Sequence, residues 1–235
     1  MMNMSLKSTN GSCAIRRIAL MIMSLALALT AISCAPPALY NVTVEYAAPP
    51  EAAGKPEASK NLTITVAKFN DLRNVEDTMV IGSVSQAGER PIPILPRFHM
   101  PSISVTRAVK DYLYSQKYIV AKGAPDWNLN SDTIAQEWGD MVIGGNIRAF
   151  ELICSKERPI IKYKARVSLT AVFADVAKKE ILFSVNVESS PSLDHVRFTE
   201  GKMAEVINDA LAAAVNQIFE NEQVSRRMRE MAKGK

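Results

Sequence analysis

Apolar and polar positions alternate with a period of two through much of this chain and recur at helical spacing in two places. "NLTITVAKF" (61–69) sets Leu62, Ile64 and Val66 against Thr63 and Thr65, the pattern of a strand with one buried face. "NDLRNVED" follows as a polar loop. "MVIGSVSQAGERPIPILP" then offers two short apolar arms around "QAGER". These predict a protruding hairpin, with Pro91, Pro93 and Pro96 confined to sheet edges because proline donates nothing to a ladder. Val105, Ala108, Val109, Tyr112 and Leu113 predict a helix from about Ser102 to Gln116, with Pro101 and Ser102 as its stop and cap. "KYIVAKG" reads as a short strand ending at Gly123. "DWNLNSDTIAQEWGD" contains a capped short helix, from Ser131 or Asp132 through Trp138.

Three longer strands come next. "DMVIGGNIRAFEL" places Met141, Ile143 and Ile147 on one face, with Gly145 between them. "IIKYKARVSLTAVFAD" alternates most regularly: Ile161, Tyr163, Ala165, Val167, Leu169, Ala171 and Phe173 face the core, and Lys162, Lys164, Arg166, Ser168 and Thr170 face away. "KEILFSVNVES" repeats the theme with Ile181, Phe183, Val185 and Val187, and the short link "ADVAKK" suits an antiparallel hairpin. A long helix, about Glu200 to Gln223, carries the stripe Met203, Val206, Ile207, Ala210, Leu211, Ala214, Val215 and Ile218. That stripe needs a sheet beneath it. The basic segment 225–235, "SRRMREMAKGK", reads as a fraying tail. The order predicts an α+β fold: a two-layer sandwich, mainly antiparallel, with two helices packed on one sheet face and the other face polar and open.

The N-terminus follows a different pattern. Ile18 to Ile32 is a run of fifteen uncharged residues behind Lys7, Arg16 and Arg17. As a helix it reaches about 22 Å, short of a hydrocarbon core of about 30 Å. A basic region, a short apolar region and small residues after it make a secretory signal, and Pro36 and Pro37 prevent the helix from continuing. "AISC", residues 31–34, resembles the lipobox of bacterial lipoproteins, with Ala31 where leucine is commonest. The resemblance implies removal of residues 1–33 and a diacylated Cys34 as the new N-terminus. Ala35, in place of the aspartate of an inner-membrane retention signal, implies the outer membrane, on its periplasmic side. An ordinary signal peptide or an uncleaved anchor that happens to contain a cysteine is the alternative. Residues 34–60, rich in Ala, Pro and Glu, read as a tether, within which Tyr40, Val42, Val44 and Tyr46 alternate as an edge strand would. The folded domain is 61–224.

Composition changes the picture in two respects. The formal charge of +4 loses three basic and no acidic residues with 1–33, leaving +1, so nothing argues for a nucleic-acid partner. Of three cysteines, Cys13 leaves with the signal, Cys34 takes the lipid, and Cys154 stands alone after the apolar Leu152 and Ile153. It is expected to be a buried small hydrophobe rather than a disulfide partner.

Chemistry is sparse. His99 and His195 have no second ligand at metal spacing, and neither metal nor cofactor is expected. Asp71 and Arg73 follow a strand and suit a local ion pair or turn. Gly144 and Gly145 lie inside a strand pattern, where they suit a bulge or close packing and not a phosphate loop. The one surface feature is the row Lys162, Lys164 and Arg166, joined by Arg148, which is either a solvated face or a contact for an anionic headgroup or partner.

The lipobox cysteine, the Ala/Pro tether, "ITVAKFNDLR…IG", "YIV", "MVIGGNIRAF" and the terminal amphipathic helix together resemble the YajG-like lipoproteins and the auxiliary lipoproteins of ABC-type lipid transport systems. The stretch between Asp71 and Pro101 departs from them. The resemblance implies a non-enzymatic accessory protein of the cell envelope, held to the membrane by lipid and working with an envelope protein partner. Two other classes remain open. A lipid carrier needs a cavity of several hundred Å³ between helices and sheet; a hydrolase needs clustered polar groups near Asp71, Arg73 or His99.

Overall fold

Ten strands of one mixed sheet and three α-helices make up the regular structure among the described residues of the computed structural model, which are 39–47, 61–157 and 159–233. In chain order they are β1 (Tyr40–Val42), β2 (Thr63–Val66), β3 (Asn70–Asp71), β4 (Gly82–Gln86), β5 (Ile92–Pro96), α1 (Pro101–Ser115), β6 (Ile119–Val120), β7 (Met141–Glu157), β8 (Ile160–Asp175), β9 (Glu180–Ser189), β10 (Ser192–His195), α2 (Glu200–Glu220) and α3 (Glu222–Lys233).

The spine is the antiparallel pair β7 and β8, joined along nearly their whole length. Beyond β8, β9 covers Val167–Asp175 and β10 covers Ile161–Lys164, both antiparallel. Beyond β7, the strands β2, β3 and β4 follow one another along it, each parallel to it. β6 continues this side next to β2, β5 pairs with β4, and β1 lies parallel on β5.

The expected two-layer, mainly antiparallel sandwich is therefore corrected to an α+β fold on a large mixed sheet with three helices. The reason is physical. Hairpin partners lie close in sequence and announce themselves, whereas Ile64 pairs with Met141 and Gly82 with Leu152, and such distant parallel pairings leave no local signal.

The core fills the space between the sheet and the helices. Met203, Ile207, Leu211 and Ile218 of α2, Val105, Val109 and Leu113 of α1, and Ile143, Leu169 and Phe173 of the sheet have no exposed surface. Each such side chain contributes roughly 1.5–3 kcal/mol on burial. Tyr112 stacks on Phe219 with ring centroids 4.2 Å apart and tilted by 7°, joining α1 to α2. Pro101 opens α1 as its first residue, while Ser102 sits buried in the first turn and does not cap it. The hydroxyl of Thr106 donates to the Ser102 carbonyl (2.7 Å) and accepts from the Phe69 amide (3.0 Å), which ties α1 to the strand end beneath it.

The segment read as a fraying tail is helical through Lys233. The backbone leaves helical geometry at Asn221, whose side-chain oxygen accepts from the amides of Gln223 (3.0 Å) and Val224 (3.3 Å) and so starts α3. Val224, Met228 and Ala232, at a spacing of four, are buried.

The far face of the sheet is only half open. Over its other half, 3-10 turns at Ser131–Thr133 and Gln136–Trp138 stand where one short helix was expected. With Trp127 they cover Ala67, Val142, Val172, Ala174 and Val176 in a second apolar cluster. The two glycines make room for this arrangement. A Cβ on Gly144 would lie 2.6 Å from the Trp127 ring, and one on Gly145 would lie 2.1 Å from the Thr170 carbonyl oxygen. Irregularities at Ile147/Ala149 and Phe173/Ala174 adjust the register. The second one turns Ile181, expected in the core, out of it to 40% exposure.

Candidate functional site

Cys34 and residues 1–33 lie outside the described residues. Part of the segment after Cys34 is seen, and it is docked. Tyr40, Asn41 and Val42 pair with Ile94, Leu95 and Pro96, which realises the edge-strand alternative for the Tyr40–Tyr46 alternation. The chain then runs along α2. The Glu45 amide donates to Asn208 Oδ1 (3.0 Å), Asn208 Nδ2 donates to the Thr43 carbonyl (3.3 Å), and Tyr46 donates its hydroxyl proton to Asn216 Oδ1 (2.9 Å). Burial, followed by the Asp111 charge, pushes the Tyr46 phenol up to about 12.

Where β1 begins, an aromatic cluster gathers. Tyr40 meets Phe198 edge-on at 5.2 Å, and Phe198 stacks on the fully buried Tyr163 at 6.2 Å. Lys156 Nζ sits 3.8 Å over the Phe198 ring and donates to the Tyr40 hydroxyl at 3.0 Å, a cation–π contact that its neighbours partly shield from water. The Tyr163 hydroxyl donates to the Arg197 carbonyl and accepts from the Thr199 amide, both at 3.2 Å. Beside this cluster lies a groove of about 760 Å³, with Gln86, Lys156, Pro159, Ile161, Val196 and Phe198 among its walls.

Lys162, Lys164 and Arg166 emerge together on the open half of the far face, as expected, but acids stand among them. Arg166 holds Glu188 through two hydrogen bonds of 3.0 Å. This pairing moves the Arg166 guanidinium up and the Glu188 carboxyl down from their ordinary values. Glu151 pairs across from Arg166, Lys162 lies 3.8 Å from Glu157, and Asp194 pairs across from Lys162. Arg148 is exposed at the β7 irregularity, its Nε donating to Thr170 Oγ1 (2.9 Å). Four cations and four carboxylates thus share this surface, and their fields largely cancel beyond a Debye length of about 8 Å.

Asp71 and Arg73 form a buried ion pair. The Arg73 side chain is 3% exposed. Its Nε and Nη2 donate to the two Asp71 carboxylate oxygens at 2.9 and 2.7 Å. The remaining donors reach the carbonyls of Thr78, Val80 and Phe150. All five guanidinium protons are engaged within the protein, so the group staples the 72–80 loop to β7. His99 accepts from Arg107 Nη1 at 2.7 Å in an exposed loop, and His195 Nδ1 accepts from the Arg197 amide at 3.0 Å. Cys154 is fully buried, and burial pushes its thiol up to about 12, well above the reactive range.

Three further surface grooves, of about 340 to 590 Å³, are lined by mixed charged and apolar side chains. One lies along α1, beside Ile103, Lys110 and Tyr114, and two flank α3. Lys110 points its ammonium at the carbonyls of Ala121 (3.3 Å) and Lys122 (3.0 Å), and partial burial lowers its pKa. Among the described residues, no three His, Cys, Asp or Glu side chains are grouped to hold a metal, and no helix is long and apolar enough to cross a membrane. The docked β1, the aromatic cluster and the neighbouring groove carried no motif. The alternation of Tyr40, Val42, Val44 and Tyr46 hinted at the strand alone.

No family model matches this chain, and no curated protein does. Solved structures do resemble it. Protein XCC0632 from Xanthomonas campestris, of the family described as DUF330, is 13% identical; the match covers 82% of this chain and 99% of that one with a TM-score of 0.52. Its likeness supports the same fold. Lipoprotein GNA1162 from Neisseria meningitidis is also 13% identical over 67% of this chain and 97% of that one, with a TM-score of 0.37. The chain is thus an α+β protein of mixed-sheet architecture whose structural neighbours include a DUF330 protein and a lipoprotein.

Proposed function

We propose that this chain is a lipid-anchored, periplasm-facing protein of the outer membrane, without enzymatic activity, that serves as an accessory subunit in envelope biogenesis or lipid transport. The observation that carries this reading is the run Ile18–Ile32 ending in "AISC" at Cys34, too short to span a bilayer and shaped for cleavage and acylation. Acyl chains contribute roughly 0.8 kcal/mol per buried CH₂, so several on one cysteine hold the protein firmly. Two features of the folded part support it. The residues best placed for chemistry, Asp71 and Arg73, spend their hydrogen-bonding capacity on each other and on backbone. The grooves are open and partly charged, which suits protein or interfacial contacts better than an enclosed lipid.

The test is mass spectrometry of the chain purified from membranes after expression with an alkyne fatty acid. A mature N-terminus at Cys34 carrying acyl mass, lost in Cys34→Ser, supports the anchor. An unmodified thiol, or a chain still beginning at Met1, sinks it. Cross-linking in intact cells then asks for the partner: recovery of a permease complex supports the transport role, and recovery of no envelope protein counts against it.

A further inference from the structure

We infer that one end of the sheet, formed by Leu39 and Tyr40, the β4–β5 turn, the β7–β8 turn and residues 195–198, is the surface that rests on the phospholipid leaflet holding the anchor. This rests on the reading of Cys34 given above.

Three observations converge. The first is topological. Gln86 pairs with Lys156, and His195 with Ile161, so the β4–β5 turn, the β7–β8 turn and the end of β10 share one edge. β1 starts opposite Ile94, the middle of β5, and runs parallel to it, so the chain ahead of Tyr40 comes from the side of the β4–β5 turn; Lys156 bonds Tyr40 directly, which ties the entering chain to that edge.

The second is reach. Five residues lie between Cys34 and Tyr40, so the six steps from one to the other span about 21 Å at full extension. Gly144, at the other end of β7, is twelve residues from Lys156, roughly 40 Å along the strand. A lipid on Cys34 can therefore lie beside the Tyr40 end and cannot reach the Trp127 end. With β1 docked, the 26 residues between Cys34 and the domain do not act as one long tether.

The third is chemical. Val196 is 72% exposed, Leu39 44% and Ile160 41%, and Phe198 is half-buried beside them. In the sequence of these segments Arg90, Lys156, Arg158 and Arg197 outnumber Glu89 and Glu157. The attraction is therefore mainly apolar with a small basic excess beside it, side chains entering the headgroup–acyl boundary as amphipathic elements do.

The experiment uses the full lipidated protein in vesicles of phosphatidylcholine and phosphatidylglycerol with brominated acyl chains. Val196→Cys carries a polarity-sensitive fluorophore, and Ala124→Cys, in the loop leading to Trp127, carries the same label as the distant control. Cys154 has no exposed surface and stays unlabelled in the folded protein. The expected result is a blue-shifted Val196 label quenched several-fold more than the Ala124 label, in protein that floats with the vesicles. Floating protein whose two labels are quenched equally, or whose Ala124 label is quenched more, overturns the orientation and leaves the anchor intact. Protein that does not float, or floats equally well as Cys34→Ser, overturns the anchor and the orientation with it.

Discussion

The two halves of the far sheet face are built on the same strands and meet opposite fates. At one half, Val142, Gly144, Val172 and Ala174 lie under a lid of Trp127, Leu129, Ile134 and Trp138. At the other, Glu151, Arg166 and Glu188 stand in water, Arg166 lying across from Glu151 and bonded to Glu188, with the exposed Lys164 beside them. The difference lies in what each half offers a covering segment. Small and β-branched side chains present a flat apolar floor that an indole can seal. Long charged side chains would lose hydration under any lid without enough partners to replace it. Local strand alternation says which residues share a face, but the size and charge of those residues decide whether that face is roofed.

Removing the lid's anchor gives the largest expected effect. Trp127→Ala should cost about 3–5 kcal/mol in denaturant unfolding, as large-to-small core changes do, whereas Lys164→Ala should leave the midpoint unmoved. Equal effects would erase the contrast between the halves. Gly144→Val attacks the same seal from below. With even a Cβ only 2.6 Å from the ring, overpacking should cost about 1–3 kcal/mol and shift Trp127 fluorescence toward that of exposed indole. An unchanged spectrum would mean that the loop yields freely.

A smaller effect sharpens the contrast from the helix side, where Cys154 lies on the core face beneath the open half. Its folded thiol is pushed from 9.0 up to about 12, so the folded form keeps its proton while the unfolded chain releases it. Stability from this group is intact below pH 9 and is lost as pH rises from there toward about 12, by about 1.4 kcal/mol per unit. Cys154→Val should remove that part of the alkaline slope between pH 9 and 10.5. Coincident slopes for the two proteins would show the thiol to be hydrated.

The smallest effect concerns the charged half itself. Lys162, Lys164 and Arg166 replaced together by Gln should leave sedimentation of the lipid-free domain with anionic vesicles little changed, because carboxylates already stand among them. A marked loss on sedimentation would restore the row as an anion-binding face.

Much of the fold was legible because the core follows simple periods. The stripe on α2, the core face of β8 and the antiparallel link to β9 all lie where Leu211, Leu169 and Val185 place them. Three features were not legible, each for a stated reason. The parallel partners of β7 are far away in sequence. The inversion at Ile181 depends on a one-residue irregularity that alternation alone does not mark. The helix at 222–233 carries so few apolar residues that only its spacing of four, Val224, Met228 and Ala232, could have distinguished it from a tail. For the candidate site, the basic row was visible but its partners Glu188 and Asp194 were not, because cross-strand register decides who faces whom. The Tyr40–Phe198–Lys156 cluster joins residues distant in sequence and had no local sign.

The docking of β1 along β5 has a mechanical consequence. A pull on the chain ahead of Tyr40 along the axis of β1 loads the ladder from Tyr40 to Val42 in shear, so that its bonds must yield together. If they do, the clamp of Glu45 and Tyr46 on Asn208 and Asn216 takes up the strain next. Traction from the N-terminal side therefore meets two successive fasteners before it reaches the helix-covered core.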